Sequence, residues 1–173
     1  MNKSKIEIGI LGGSFDPAHK GHLAISKEAR KRFKLKKIIW AITKKNPLKA
    51  VSKTPVSKRI KDCKKLIGSN TFIKVKFYED TINSNKTIDL INYLKKNKKL
   101  EIFFLMGADN LISFHKWHKS KLITEKCNII VFDRHGYKKN SLKSKTFKKL
   151  NNKTLTFVKF KKVNISSSQL RKI

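Results

Sequence analysis

The sequence predicts an α/β fold in which a doubly wound parallel sheet carries helices on both faces. Short apolar runs rich in β-branched and aromatic residues alternate with amphipathic helical segments along the chain. The runs are continuously apolar, which is typical of strands buried on both faces of a parallel sheet. The chain has 173 residues and shows no internal repeat or long linker, so we expect one domain spanning residues 1–173.

Six strands and up to five helices follow one another along the chain. The apolar runs predict strands at Ile6–Leu11, Lys37–Thr43, Thr71–Phe77, Glu101–Met106, Asn128–Phe132 and Leu155–Phe160. The amphipathic segments predict helices at His22–Phe33, Val56–Ile67, Thr87–Lys98 and Asn110–Ile123, with a weaker one at Leu142–Leu150. This alternation is Rossmann-like, and ligands of such sheets bind at the carboxyl ends of the strands. The loops 12–22 and 107–110 fall at that edge, and the irregular stretch 44–55 is a candidate mobile loop.

The charge balance is strongly basic. Lys and Arg number 43 against 11 acidic residues, which gives a formal net charge of +32. The lysines are spread along the whole chain, so we interpret them as a solvated surface and expect no specific nucleic-acid partner. Such a field still steers anionic small molecules toward a site. The arginines are Arg30, Arg32, Arg59, Arg134 and Arg171.

Two features bear on the compartment. The apolar runs are far shorter than the roughly 20 residues that cross a bilayer, so no membrane association is expected. Cys63 and Cys127 have no C-x-x-C spacing and suit free thiols in a reducing compartment. We therefore expect a cytoplasmic protein.

A glycine turn with two histidines links the first strand to the first helix. It reads Gly12-Gly13-Ser14-Phe15-Asp16-Pro17-Ala18-His19-Lys20-Gly21-His22. Strand, glycine turn and helix N-terminus together present backbone N–H groups to a phosphate, and the two histidines share one helix face near that anion. The pattern is neither a Walker A loop nor G-x-G-x-x-G. The alternatives are a capping histidine beside a surface one, or a metal site, which lacks an accompanying cluster of carboxylates or cysteines.

A serine-rich segment lies near the end of the chain. It reads Ile165-Ser166-Ser167-Ser168-Gln169-Leu170-Arg171. Serines that open a helix offer hydroxyl and N–H groups to an anion, and an arginine can hold a phosphate through two parallel hydrogen bonds. An ordinary capped helix on a basic tail is the alternative.

A third segment follows the fourth strand and runs from Met106 to Trp117. Gly107 followed by Asp109 at a strand end suits a ribose or base contact, although Asp109 is also a candidate helix N-cap. Trp117 is either a core residue or a partner for a cationic pyridinium ring, which would gain from stacking and cation–π attraction.

Together these segments resemble the bacterial nicotinate-nucleotide adenylyltransferases, whose superfamily carries H-x-G-H and I-S-S-T-x-x-R motifs. The resemblance runs from about Ile8 to Arg171. It implies transfer of the adenylyl group of ATP to nicotinate mononucleotide, with Mg²⁺ carried mainly by the phosphates. The residues it assigns to catalysis are His19, His22 and Arg171; to ATP, Gly12, Gly13, Ser14, Phe15, Gly21, Gly107, Asp109, Ile165, Ser166, Ser167 and Ser168; and to the acceptor, Thr87, Trp117, Lys49 and Arg134.

Two positions depart from the family pattern. The family often carries P-P-H-K/R after the second strand, where this chain has Asn46-Pro47-Leu48-Lys49, so Lys49 takes the place of the basic residue. Ser168 stands where the motif has threonine and keeps the hydroxyl. No protein metal ligands are expected, and a homo-oligomer is allowed. Phosphopantetheine and nicotinamide mononucleotide remain alternative acceptors, and an inactive nucleic-acid-binding protein is the alternative of a different class.

Overall fold

The predicted parallel sheet is present and has six strands. The structure, a computed structural model, describes residues 5–45, 51–150, 153–160 and Leu170. The strands, all parallel, lie in the order β3-β2-β1-β4-β5-β6. Their bounds are β1 Ile6–Gly13, β2 Lys37–Ile42, β3 Ile73–Phe77, β4 Leu100–Gly107, β5 Asn128–Phe132 and β6 Leu155–Val158.

Helices connect the strands and cover both faces of the sheet. Their bounds are α1 Lys20–Phe33, α2 Val56–Ile67, α3 Glu79–Ile82, α4 Thr87–Lys95, α5 Ala108–Ser113, α6 Ser120–Lys126, α7 Lys138–Leu142 and α8 Lys145–Leu150, with a 3₁₀ turn at Phe114–Lys116. The predicted fold class is therefore confirmed, with strand ends displaced by one or two residues. The short helix α3 was not predicted.

The predicted helix Asn110–Ile123 is wrong as a single element. It is divided into α5, the 3₁₀ turn and α6, because Trp117 adopts an extended conformation and Lys119 lies in the left-handed region at φ 52°. The break lets the indole of Trp117 pack edge-on against Phe104 and beside Phe114. A continuous helix would carry this side chain around the axis and away from those partners. The weaker helix predicted at Leu142–Leu150 is present as α8, which begins at Lys145, and Ser144 Oγ accepts from the Phe147 N–H at its start.

The core consists of two apolar layers, one on each face of the sheet. Successive strand residues alternate between them, so Ile39 and Ala41 of β2 join the α4–α6 side while Ile38, Trp40 and Ile42 join the α1–α2 side. Both layers are buried, which explains why the strands are continuously apolar.

The order of the strands positions the site. The chain proceeds from β1 outward through β2 and β3, then returns to the other side of β1 with β4. Ligands in doubly wound sheets bind at this reversal, beyond the carboxyl ends of the strands. The loops after β1 and β4 are brought together there, and the N–H of Thr43 after β2 donates to the Gly13 carbonyl at 3.0 Å.

Gly9, in the middle of β1, is a packing constraint rather than a turn residue. A Cβ there would lie 3.0 Å from Leu35 Cδ1, 3.1 Å from Ile38 Cγ1 and 3.3 Å from Leu105 Cδ1. At Gly12 on the same strand, a Cβ would meet only ordinary contacts with Phe104, the nearest at 3.6 Å.

We expect Gly9→Ala to lower the free energy of unfolding by about 1–3 kcal/mol, because three core side chains must shift. Gly12→Ala is the matched control and should change stability by less than about 1 kcal/mol, since alanine loses less backbone entropy than glycine. Urea unfolding followed by circular dichroism measures both. Equal stability of the two variants would contradict the packing argument.

Candidate active site

The two histidines of the glycine loop cap the first helix together. His19 is the N-cap of α1, and its Nδ1 accepts from the Gly21 N–H at 3.1 Å. The Nδ1 of His22 in turn accepts from the His19 N–H, also at 3.1 Å. This is a capping box built from imidazoles, in which two helix N–H groups are satisfied by side chains. Both imidazoles thus take part in the cap, whereas the alternative had one of them at the surface, and both lie at the helix N-terminus.

The cap also sets the chemistry of both rings. An Nδ1 that accepts a hydrogen bond carries no proton, so the hydrogen-bond pattern assigns the proton of each neutral ring to Nε2. The ring centroids lie only 3.8 Å apart. Burial, aided by the charge of Arg134, lowers the pKa of His19 from 6.5 to about 4. His19 is therefore a neutral hydrogen-bond donor at pH 7 rather than a cation.

Phe15 anchors the loop through its side chain. It is buried, with a backbone φ of 49°, and its ring stacks on Trp40 at 5.1 Å and lies 4.7 Å from His22. The indole N–H of Trp40 donates to Ser26 Oγ at 2.8 Å, and Ser26 Oγ donates to the His22 carbonyl. Because the Phe15 ring belongs to the core, only its backbone is available for a ligand.

Residues after β4 and β5 form an ion pair beside the histidines. A guanidinium nitrogen of Arg134 lies 2.7 Å from Asp109 Oδ2. Asp109 is in the first turn of α5, whose N-cap is Gly107, so the predicted N-cap role of Asp109 is wrong. A Cβ on Gly107 would lie 2.5 Å from Asp109 Oδ1, so a larger residue there would displace the Asp109 carboxylate from this position.

A cleft of about 330 Å³ extends from the glycine loop to the aromatic segment. Thr87, the first residue of α4, lines it together with Trp117. Apolar surface is supplied by Ile42, Tyr78, Ile82, Leu90 and Phe104, and polar groups by Thr43, Glu79, Ser84, Asn85, Lys86, Asn110, Lys116 and His118. The cleft reaches Gly12 and Gly13, so one molecule can contact both the aromatic segment and the loop.

Glu79 was missed by the sequence analysis and connects two parts of the cleft. Its carboxylate accepts from the Thr43 hydroxyl and from the Lys44 N–H, the latter at 3.1 Å. Lys44 also forms an ion pair with Asp80 at 2.7 Å. These contacts hold the segment after β2 against α3. The only signal in the sequence was the acidic pair that opens this short helix.

Arg59 was also missed. This buried residue of α2 donates to the carbonyl oxygens of Ser14, Thr43 and Thr54, at 2.6, 2.8 and 2.9 Å respectively. In the sequence it is one basic residue among many, and its burial is not indicated by the charge pattern.

The described parts of the chain bring most predicted site residues to one edge of the sheet. The glycine loop, both histidines, Gly107, Asp109 and Arg134 gather at the ends of β1, β4 and β5, and Thr87 and Trp117 line the adjoining cleft. The following predicted site residues lie outside the described residues: Lys49, Ile165, Ser166, Ser167, Ser168 and Arg171. Within the serine-rich segment, only Leu170 is described.

Both cysteines of the chain are buried. Burial raises the pKa of the thiols of Cys63 and Cys127 to about 12. Within the described ranges, no group of three or more His, Cys, Asp or Glu side chains is arranged to hold a metal ion. No helix in those ranges is long and apolar enough to cross a membrane.

The lowered pKa of His19 predicts a pH-dependent stability. The unfolded chain binds this proton more tightly than the folded protein, so the stabilisation is complete above pH 6.5 and is lost as the pH falls toward 4. We expect the Tm of the unaltered protein to fall more steeply across that window than the Tm of His19→Asn, which can still cap the helix. His115→Asn, an exposed control, should keep the original slope. Parallel Tm curves for all three proteins would contradict this.

Comparison with solved structures shows the same fold elsewhere. A nicotinic acid mononucleotide adenylyltransferase of Plasmodium falciparum, complexed with NaAD, superposes with a TM-score of 0.80 at 23% sequence identity. The match covers 96% of this chain and 82% of that one.

Closer relatives are found by sequence. A protein of Pelagibacter ubique (strain HTCC1062), named "Probable nicotinate-nucleotide adenylyltransferase", is 67% identical over all of this chain and 96% of its own length. A protein of Agrobacterium fabrum with the same name is 38% identical, covering 75% of this chain and 70% of its own length. Residues 10–173 match the family described as cytidylyltransferase-like. This chain therefore belongs to the cytidylyltransferase-like family, in its nicotinate-nucleotide adenylyltransferase branch.

Proposed function

We propose that this protein transfers the adenylyl group of ATP to nicotinate mononucleotide, releasing pyrophosphate and forming deamido-NAD. The observation that carries the proposal is the cleft that joins the glycine loop to Trp117 and Thr87. One end of the cleft suits a planar ring and the other a phosphate, which are the two ends of a pyridine mononucleotide. The 67% identity to a relative of that name supports the same acceptor.

The aromatic end of the cleft suits a pyridinium ring. Trp117 lies against Phe104 and Phe114, which fix its indole by packing. An aromatic face gains stacking and cation–π attraction from a positively charged ring. Thr87 stands at the start of α4, where N–H groups not yet used in the helix favour a carboxylate. Trp117 and Thr87 together favour a ligand that carries both an aromatic ring and a carboxylate, as nicotinate does, over a plain phosphate.

The charges that line the cleft favour an anionic acceptor. Lys86 and Lys116 both line it. The carboxylate of Glu79 is the opposing charge, and it is engaged by the Thr43 hydroxyl and the Lys44 N–H. The positive side chains are thus left to attract the substrate, and the overall charge of the chain steers it there.

The chemistry is an in-line displacement at phosphorus. An oxygen of the acceptor 5′-phosphate forms a bond to the α-phosphorus of ATP while the bond from that phosphorus to the bridging oxygen breaks. The leaving electron pair stays on pyrophosphate. The attacking phosphate is already ionised near pH 7, so no general base is needed and the task of the protein is positioning and charge stabilisation.

The histidine pair performs part of that task as neutral donors. With Nδ1 of each ring committed to the helix cap, His19 and His22 offer Nε2–H groups to the triphosphate. Arg134, beside Asp109, supplies a nearby positive charge. Our proposal also includes the serine-rich segment 165–168, Arg171 and Lys49, on the strength of the sequence motif. Gly107 and Asp109 are assigned to the adenosine.

Mg²⁺ is the expected cofactor and belongs with the substrate. The described residues hold no cluster of ligands for it, whereas triphosphate oxygens and water are the ligands it prefers. It would neutralise charge on the departing pyrophosphate. The proposal also includes a cytoplasmic setting and a single domain spanning residues 1–173.

The deciding experiment measures pyrophosphate release with ATP and Mg²⁺ for three acceptors: nicotinate mononucleotide, nicotinamide mononucleotide and phosphopantetheine. We expect kcat/KM for the first to exceed that for the others by at least about a hundredfold, since a carboxylate site left unpaired by an amide is costly. Preference for another acceptor would refute the assignment. Inactivity with all three, accompanied by salt-resistant oligonucleotide binding, would favour the nucleic-acid alternative.

Trp117→Ala should raise the KM for nicotinate mononucleotide about tenfold, the loss expected from roughly 1.4 kcal/mol of stacking and cation–π attraction. The KM for ATP should stay within about twofold, because the proposal assigns Trp117 to the acceptor ring and not to ATP. Trp117→Phe keeps an aromatic face and is the matched control, with a smaller effect. A parallel rise in both KM values would show that the indole acts only by supporting the fold.

A further inference from the structure

The guanidinium of Arg59 links three separate chain segments at one point. It donates from one terminal nitrogen to the carbonyl oxygens of Ser14 and Thr43, and from Nε to that of Thr54. Ser14 belongs to the loop after β1, Thr43 to the segment after β2, and Thr54 to the approach to α2. One side chain therefore holds the glycine loop and the wall of the cleft at Thr43 in fixed relation.

The buried position of Arg59 disfavours the positive charge of its guanidinium. Arg59 is 2% exposed, and burial lowers the pKa of its guanidinium despite the nearby Asp16 and Glu79. Replacement of Arg59 alone would leave the carbonyl oxygens of Ser14, Thr43 and Thr54 without this donor, which is costly for buried acceptors. The α1–α2 core layer next to it is apolar, so packing alone does not call for an arginine here. The three carbonyl contacts are what distinguish it.

The contact with Ser14 controls the direction of a peptide group in the loop. In a trans peptide the carbonyl and the following N–H point in opposite directions. With the Ser14 oxygen drawn to Arg59 at 2.6 Å, the Phe15 N–H is turned away from α2. The loop thus has one defined backbone orientation before any phosphate arrives, which is the condition for electrostatic preorganisation.

The same guanidinium fixes the acceptor side. Thr43 lines the cleft, its carbonyl is held by Arg59 and its hydroxyl by Glu79. Ser52, which precedes α2, donates from its hydroxyl to the carboxylate of Asp16 in the glycine loop at 2.5 Å. The glycine loop is therefore connected to the chain between β2 and α2 both by Arg59 and by the Ser52–Asp16 hydrogen bond.

We propose that Arg59 is a positioning residue for adenylyl transfer. It sets the distance between the glycine loop and the wall of the cleft at Thr43 without touching either substrate. This inference rests on the proposed function. It predicts that loss of the guanidinium impairs the use of both substrates at once, because both binding walls lose a common support.

The test compares Arg59→Met, Arg59→Lys and Cys63→Ala at a temperature well below the lowest Tm of the three. Methionine fills similar space without donors, and lysine keeps the charge but not the planar fork. Cys63 lies one turn further along α2 and is fully buried, so its truncation disturbs the same helix without removing a loop contact. Steady-state kinetics with ATP and nicotinate mononucleotide give kcat and both KM values.

We expect Arg59→Met to raise both KM values and to lower kcat/KM by about a hundredfold, the effect of a displacement near 1 Å in a reacting pair. Arg59→Lys should recover part of this loss, and Cys63→Ala should stay within about threefold of the unaltered protein. Unchanged KM values in Arg59→Met, with kcat lowered only in proportion to the folded fraction measured by circular dichroism, would overturn the proposal. Full activity in Arg59→Lys would also overturn it, since charge alone would then suffice.

A second readout separates this inference from the proposed function. Binding of inorganic tripolyphosphate with Mg²⁺, followed by calorimetry, needs no acceptor and no turnover. If the unaltered protein transfers no adenylyl group, the proposed function fails. A tenfold or greater weakening of tripolyphosphate binding in Arg59→Met, but not in Cys63→Ala, would still support positioning of the loop. Equal binding by both variants would reject it.

Discussion

The arrangement of the glycine loop depends on the burial of one aromatic ring. Phe15 takes a left-handed backbone conformation that costs a non-glycine residue roughly 1–2 kcal/mol. Burial of a phenylalanine side chain contributes about 1.5–3 kcal/mol, and stacking on Trp40 adds to it. The ring thus offsets the cost of the bend. Because His22 packs on the same ring and the Ser26 hydroxyl joins Trp40 to the His22 carbonyl, the position of the imidazole cap follows from that of Phe15.

In the site that we propose for the phosphates, the imidazoles act as neutral hydrogen-bond donors rather than as cations. In this strongly basic chain, His19 is kept neutral by burial and by the neighbouring Arg134. Its value lies in a fixed Nε2–H direction, because the helix cap determines which nitrogen is protonated. Formal charge is supplied instead by Arg134 and by the lysines that line the cleft. Direction and charge are therefore divided between different side chains.

The features that the sequence predicted arise from local patterns, whereas those it did not predict arise from contacts between distant residues. Strands, most helices and the gathering of the glycine loop with Gly107 at one edge followed from periodicity and from the rule for parallel sheets. The break at Trp117 depended on tertiary packing against Phe104, which overrides local helix propensity. Arg59 and the ion pair of Asp109 with Arg134 depend on contacts between residues distant in sequence. No local pattern indicates which arginine of a basic chain is buried. The resemblance of short motifs identified the reaction. The residues that hold the site in shape, such as Arg59, could be recognised only from the three-dimensional structure.

The two buried thiols have a practical consequence for spectroscopy. Groups with a pKa of about 12 are almost entirely protonated at neutral pH, and the thiolate is the form that reacts with maleimides and disulfides. Cys63 and Cys127 are also covered by the core layers on opposite faces of the sheet. A cysteine introduced on an exposed helix would therefore be modified selectively in the folded protein. Fluorescent or spin labels can be attached without removing either native cysteine, which leaves the packing of both layers unaltered.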